Sequence, residues 1–224
     1  MPRLLALDSS TEACSVALID GDVLCERYIE APREHMLRLL PMVDEVLAER
    51  GLTLRDLDAI AFARGPGSFT GLRICLGLVQ GLAFGAQLPV IPVSTLAALA
   101  QTVAQQQPGA SILSAIDARM DEVYWGLFRV NGAGLVEAVG DEHLSAPEQV
   151  VCPDAGSACV GVGSGWQYRP RIRDDGFTRI YENALPSARA VAQLAMPLWL
   201  AGAAIAIDTD LEQALPVYLR DKVV

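Results

Sequence analysis

The sequence predicts an α/β protein of two lobes, each built on a strand–strand–strand–helix–strand–helix (βββαβα) unit. Three features predict it. The chain opens on three short apolar runs spaced as strands. The same opening returns after residue 110. Between them lies a glycine-rich turn that joins an apolar strand to a long proline-free helix.

Leu4–Leu7, Cys14–Ile19 and Val23–Ile29 are the opening strands, with Asp20-Gly21-Asp22 as the hairpin turn between the last two. Glu34–Arg50 is an amphipathic helix with Leu37, Leu40, Val43 and Leu47 on one face, ended by Gly51. Asp58–Ala63 is the next strand, and Ser68–Ala86 the long helix. Pro89–Val93 is a further strand, after which Ser94-Thr95 start a helix running to about Gln106. Gln105-Gln106-Gln107-Pro108-Gly109 marks the boundary, giving lobes 1–107 and 108–224. Beyond it Ser111–Ile116, Glu122–Val130 and Leu135–Val139 repeat the opening strands around the polar turn Asp117–Asp121 and the turn Asn131–Gly134. The second copy is shorter, with one more strand at Ala158–Val162 and helices from Ser187 onward that are expected to pack back on the first lobe. Ala190–Ile207 is uncharged, but Gln193, Pro197 and Gly202 interrupt it; it reads as two packed helices broken near Gly202, not as a membrane span.

The most informative run is Ala63-Arg64-Gly65-Pro66-Gly67-Ser68-Phe69-Thr70-Gly71-Leu72-Arg73. Gly65 and Gly67 allow a tight turn with positive φ, Pro66 fixes the backbone between them, and Ser68 is placed to cap the helix. No lysine follows at the spacing of a nucleotide-binding P-loop. Along the helix Gly77, Gly81 and Gly85 recur every four residues, with Thr70, Arg73 and Gln80 near the same stripe. Each interior glycine costs about 1 kcal/mol against alanine, a cost that close approach of another helix offsets. The helix is apolar nearly all round, so burial on more than one side is expected.

Composition sets outer bounds. The 224 residues are 52% hydrophobic and 20% charged, as in a globular protein, and no apolar signal segment opens the chain. A formal net charge of −10 argues against unaided nucleic-acid binding. Cys14, Cys25, Cys75, Cys152 and Cys159 form no CxxC pair and read as free thiols of a reducing cytoplasm.

GPGSFTGLR resembles the signature of the bacterial TsaB (YeaZ) family, and the likeness continues along the chain. Leu5-Ala6-Leu7-Asp8-Ser9-Ser10-Thr11 is similar to that family's first strand and turn, and Glu34-His35-Met36 with Leu39-Leu40-Pro41 to its first helix. Ile116–Tyr124 is similar to its mid-chain hairpin, and Pro216-Val217-Tyr218-Leu219-Arg220 to its tail. The resemblance implies the actin-like ATPase (ASKHA) superfold and a non-catalytic, cytoplasmic role in making threonylcarbamoyladenosine (t6A) at position 37 of tRNA. It further implies a heterodimer with the catalytic subunit TsaD, work alongside the ATPase TsaE, a homodimer when alone, and tRNA contact only through the complex. Pairing in that family runs through the first two helices, which designates Leu37, Leu40, Thr70, Arg73, Gly77, Gln80 and Gly81 as the partner interface. ATP or ADP and metal are expected on partner subunits, and none bound to this chain alone.

Candidate chemistry is thin elsewhere. Asp8, Ser9, Ser10 and Thr11 offer a carboxylate and three hydroxyls beside a possible phosphate, or an ordinary turn. The matching turn Asp117-Ala118-Arg119-Met120-Asp121 lacks the glycine pair that lets backbone N–H groups reach a phosphate, which disfavours an active small-molecule kinase of this fold. It reads as a polar turn or hinge. Gly161-Val162-Gly163-Ser164-Gly165-Trp166 follows a strand and would skirt an adenosine, although GxGxG alone is weak. Only His35 and His143 are present, so no HxxxH pair forms. TsaD carries its metal-binding histidines after the strand that follows the glycine-turn helix. Matching the motifs puts Thr95 and Leu99 there, which disfavours a glycoprotease-like metallopeptidase and implies no bound metal. His35 reads as a solvated or interface histidine. Arg64 and Arg73, flanking the turn, suit either a phosphate or a partner carboxylate.

Overall fold

Large and small apolar residues alternate along the first strands, and that alternation decides how the first sheet is covered. The computed structural model describes residues 1–152, 159–173, 176–206 and 215–220. Its first sheet holds β1 (Arg3–Asp8), β2 (Ala13–Asp20), β3 (Val23–Glu30), β4 (Ala59–Ala63) and β5 (Val90–Val93), in the order β3-β2-β1-β4-β5. β1, β4 and β5 are parallel, whereas β2 and β3 join as antiparallel hairpins. The helices are α1 (His35–Arg50), α2 (Phe69–Ala86), α3 (Thr95–Ala104) and α4 (Ala188–Leu200).

Leu5, Leu7, Val16, Leu18, Ile60 and Phe62 share one core with Leu39, Val43 and Val46 of α1 and Cys75, Leu76 and Val79 of α2. Strand side chains alternate between faces, so Ala6, Ala17, Ala59, Ala61 and Ala63 lie on the other face. There α4 packs across β1, β2, β4 and β5, burying Ala188, Ala190, Val191, Ala192, Leu194 and Ala195. Small side chains on both partners let this helix lie close to the sheet. Its first N–H groups are all met: Ala188 N donates to Ser15 Oγ at 2.8 Å, Arg189 N to the Glu26 carboxylate at 2.8 Å, and Ala190 N to Ser187 Oγ at 3.4 Å.

The second sheet contains β6 (Ser111–Arg119), β7 (Glu122–Val130), β8 (Val136–Ala138), β9 (His143–Ser145), β10 (Cys159–Val162) and β11 (Phe177–Tyr181). Its order, β8-β7-β6-β10-β11, repeats the first sheet strand for strand and direction for direction, with β9 added beside β7. This duplication is that of the actin-like ATPase superfold. In place of α2, a 3-10 helix, Ser164–Arg171, links β10 to β11.

Two compact units result: Met1–Ala98 with Pro186–Val217, and Leu99–Leu185 with the chain from Tyr218. The division thus falls inside α3, not at residue 107, and α4 belongs to the first unit.

Several local expectations are corrected. On α1 the buried stripe is His35, Leu39, Met42, Val43, Val46 and Leu47, so Leu37 and Leu40 do not share a face with Val43 and Leu47. β6 extends through Asp117 to Arg119, because the hairpin turns at Met120-Asp121. β9 and β11 were not anticipated. Gly202, at φ +74°, follows α4, but no second helix follows among the described residues; Ile205 instead pairs with Val90 through two 2.8 Å hydrogen bonds. Ala158 and Ile207 lie outside the described residues. α2 is long and apolar enough to cross a membrane, by length and composition only. Its buried stripe is a wall of the first core.

Candidate functional site: a seated glycine turn and an outward helix face

The glycine turn works by close contact. Gly65 has φ +104° and a cis bond to Pro66. Gly67 does not take positive φ, contrary to the expectation; its hydrogen is required by space. A Cβ there would collide with the Ser10 carbonyl, and a Cβ on Gly71 would collide with that of Ser9. The two turns are pinned by Ser68 N donating to Ser10 O at 2.7 Å and Ser9 Oγ donating to Gly71 O at 3.0 Å. Ser68 caps α2 as expected, its Oγ accepting from Gly71 N at 3.3 Å. Thr95 holds the turn from its other side: Gly65 N donates to Thr95 Oγ1 at 3.2 Å, and Thr95 N to Gly65 O at 2.9 Å. Thr95 and Leu99 are both buried, at 0% and 1% exposure, as clamp and core.

Asp8, Ser9, Ser10 and Thr11 are all buried. Ser10 N donates to Asp8 Oδ1 at 2.7 Å, Ser9 Oγ is spent on Gly71, and Thr11 Oγ1 accepts from Ala13 N at 3.3 Å. Most of these groups are therefore committed inside the first unit. Only Asp8 Oδ2 and Ser10 Oγ are buried without a partner among the described residues. Burial raises the Asp8 carboxyl from 3.8 to about 6. His35, expected to be solvated or at an interface, is buried, and its Nε2 lies 2.9 Å from the Thr11 carbonyl, which makes Nε2 the donor.

The corresponding features of the second unit are also occupied. Asp117 binds Arg119 N at 2.9 Å, the Arg119 guanidinium at 3.1 Å and the Tyr168 hydroxyl at 3.3 Å. Arg220 donates to Ala118 O at 3.1 Å and pairs with Glu122 at 2.7 Å. The GxGxG run is filled from within. A Cβ on Gly161 would meet the Trp166 ring, those on Gly163 and Gly165 would meet Ala115, and Trp166 itself is fully buried. Gly161 thus admits the protein's own indole.

What remains exposed is the outward side of the α1–α2 layer. Met36, Leu37 and Leu40 of α1 and Phe69 and Phe84 of α2 are exposed large apolar residues. Thr70 and Arg73 are exposed and Gln80 half-buried, and the Arg73 guanidinium sits 3.2 Å over the Phe69 ring. Gly77, Gly81 and Gly85 have open space where a Cβ would be. α2 is thus buried on one side only, contrary to the expectation.

Comparisons with known proteins place this arrangement. Residues 29–158 match the family model for TsaD, tRNA N6-adenosine threonylcarbamoyltransferase. The chain is 41% identical to the tRNA threonylcarbamoyladenosine biosynthesis protein TsaB of Escherichia coli K12, over 99% of this chain and 96% of that one. It is equally 41% identical to the TsaB protein of Haemophilus influenzae, over 98% and 94%. The chain belongs to the TsaB family. The solved structure of YeaZ from Pseudomonas aeruginosa superposes with a TM-score of 0.92 at 46% identity, covering 98% of this chain and all of that one. Membership of the TsaB family accounts for a TsaD-type fold in which Thr95 and Leu99 are structural.

Two predictions follow from the seated turn. The Asp8 carboxyl is raised on folding, so its contribution to stability is complete below about pH 4 and is lost as pH rises through about 6. Asp8→Asn keeps an acceptor for Ser10 N and removes that loss. It should raise unfolding stability near neutral pH by on the order of 2 kcal/mol, with the gain vanishing near pH 4. Urea titrations at both pH values check this; a loss at neutral pH would show a carboxylate held ionised. Within α2, Gly71→Ala should cost about 1–3 kcal/mol by overpacking, while Gly85→Ala should gain about 0.5–1 kcal/mol. Equal effects at the two positions in the same titrations would contradict the contact.

Proposed function

We propose that this chain is a non-catalytic, cytoplasmic subunit in t6A biosynthesis that binds the catalytic subunit TsaD through the outward face of α1 and α2. It acts there together with the ATPase TsaE. The observation that carries this reading is the row Gly77, Gly81 and Gly85, which faces open space in the chain by itself. Glycine in a helix interior costs about 1 kcal/mol against alanine, and no described residue approaches the row to offset it. A second helix could approach closely there, flanked by Leu37 and Leu40, with Thr70, Arg73 and Gln80 supplying polar contacts. Alone, the chain covers this face by pairing two-fold with a second copy, and TsaD competes for it.

The chain contributes shape, not chemistry. Its two candidate phosphate turns are closed by their own side chains, its GxGxG run holds Trp166, and the histidine positions of the TsaD motif are Thr95 and Leu99. Nucleotide and metal are assigned to the partners.

Gly81→Leu places a side chain into open space in the free chain and into the contact in a pair. Circular dichroism should stay near wild type, sedimentation should shift toward monomer, and TsaD should be lost from a pull-down. A variant that stays folded, dimeric and competent for TsaD would overturn the interface. With a net charge of −10, the chain alone should give no mobility shift with tRNA at physiological salt, and tRNA should be retained only when TsaD is present. Micromolar binding by the chain alone would contradict this.

A further inference from the structure

Seven Arg, Asp and Glu side chains lie from Arg33 to Arg50, along α1 and its approach. Five are paired within the chain. Arg38 meets Glu34 at 2.6 Å, Arg27 of β3 holds Glu45 at 3.1 Å and Glu49 at 2.6 Å, and Arg50 meets Asp20 at 2.9 Å. The other two, Arg33 and Asp44, are exposed and have no ion pair among the described residues. They are opposite in sign and bracket the exposed Leu37 and Leu40 symmetrically. Arg33 stands four residues before Leu37, and Asp44 four residues after Leu40. Asp44 shares the outward stripe of these leucines, since side chains four and seven apart lie on one helix face. Arg33, just before the helix, has φ +70°, a left-handed conformation that is uncommon for any residue with a Cβ. Glycine would hold that backbone without strain; arginine there keeps a cation at the head of the stripe.

We propose that these two charges set the register of the two-fold pair: α1 lies antiparallel on α1 of a second copy, with Arg33 of each chain against Asp44 of the other. The proposal rests on the reading that the outward face pairs two copies, and adds how they are aligned. In a two-fold contact, residue i of one copy meets residue j of the other, and j meets i. Two identical antiparallel helices satisfy this when i and j are equally far from the crossing point. For Arg33 and Asp44 that point falls between Leu37 and Leu40, the exposed apolar residues that such a contact buries. Asp44 lies about 8 Å from it along the axis, at 1.5 Å per residue. At a crossing angle near 20°, as in helix bundles, the ends stay close enough for an arginine to span the gap. The leucines then form the apolar centre of the contact and the two ion pairs its polar rim. A parallel, in-register pair would instead bring Arg33 to Arg33 and Asp44 to Asp44.

The test is charge reversal in the full chain, read by sedimentation. Arg33→Glu alone, or Asp44→Arg alone, brings like charges together twice in the pair. Each single variant should dissociate more readily than wild type, by on the order of tenfold in Kd at low salt, and less so at high salt. An equimolar mixture of the two single variants should pair again as a heterodimer, because the reversed side chains then face each other and the native ones likewise. The double variant, Arg33→Glu with Asp44→Arg, should pair with itself at close to wild-type strength. Circular dichroism should not change, since neither side chain is ion-paired within the described chain. Single variants that pair as tightly as wild type would overturn the register, as would a mixture that stays dissociated where wild type pairs. Gly81→Leu in parallel runs separates the two readings. If it dissociates the chain while the reversals do not, the face is the interface and the register is wrong. If neither has an effect, the interface reading falls as well.

Discussion

The first unit depends on one close approach, that of the glycine turn to the turn between β1 and β2. The carbonyls of Ser9 and Ser10 stand where Gly71 and Gly67 would carry a Cβ. Ser68 belongs to both sides of this contact, since its N–H bonds Ser10 and its hydroxyl caps α2. The start of α2 is therefore fixed in position and in rotation. With a repeat of 3.6 residues per turn, that start sends Leu72, Cys75, Leu76, Val79 and Ala83 toward the sheet. The same rotation sends Thr70, Arg73, Gly77, Gly81 and Phe84 outward. The outward face is thus a consequence of the turn contact and cannot be moved without breaking it.

The same contact turns the groups of the β1–β2 turn inward. A strand turn rich in Asp, Ser and Thr is well suited to anions and cations when its groups face a cleft. Here the Ser10 amide, the Ser9 hydroxyl and the Thr11 hydroxyl are all turned to the chain's own atoms, and the carboxyl of Asp8 is buried. Its pKa of about 6 is the electrostatic trace of that burial. In the second unit a tryptophan performs the equivalent closure, with Gly161 omitting a side chain to admit it.

Much of the fold was legible in the sequence for physical reasons. Alternation in Ala59-Ile60-Ala61-Phe62-Ala63 fixes a strand with both faces covered, and the recurrence of three strands after residue 110 exposes the duplication. The Gly51 and Ser68 ends of helices were legible because caps are local. That helices from Ser187 onward pack back on the first lobe was expected, but their seat on the alanine face was not legible, because α4 arrives from more than a hundred residues later and long-range contact leaves no periodic mark. β9 and β11 are short or half-exposed and carry little alternation. In the site, the glycine row of α2 was legible from its period, while its exposure and the burial of Asp8 and His35 were not. Their residue types argue for solvent, and only the tertiary contact overrides them. Gly71 was a missed signal: glycine in the first turn of a helix has no local use, so its presence already pointed to a backbone crossing there.

Stability alone does not account for α2. Gly71 and the outward glycines have the same intrinsic cost, about 1 kcal/mol each against alanine, but they differ in what they obtain for it. Gly71 gains the seat on Ser9, and alanine in its place would collide with the Ser9 carbonyl. Gly77, Gly81 and Gly85 gain nothing among the described residues, since each faces open space. Their summed cost of about 3 kcal/mol is a sizeable part of the 5–15 kcal/mol that typically separates folded from unfolded. A helix required only to stand on its sheet would do better with alanine at all three. The stripe is intelligible when the free energy considered includes a second surface laid against it, where missing side chains become contact area between backbones.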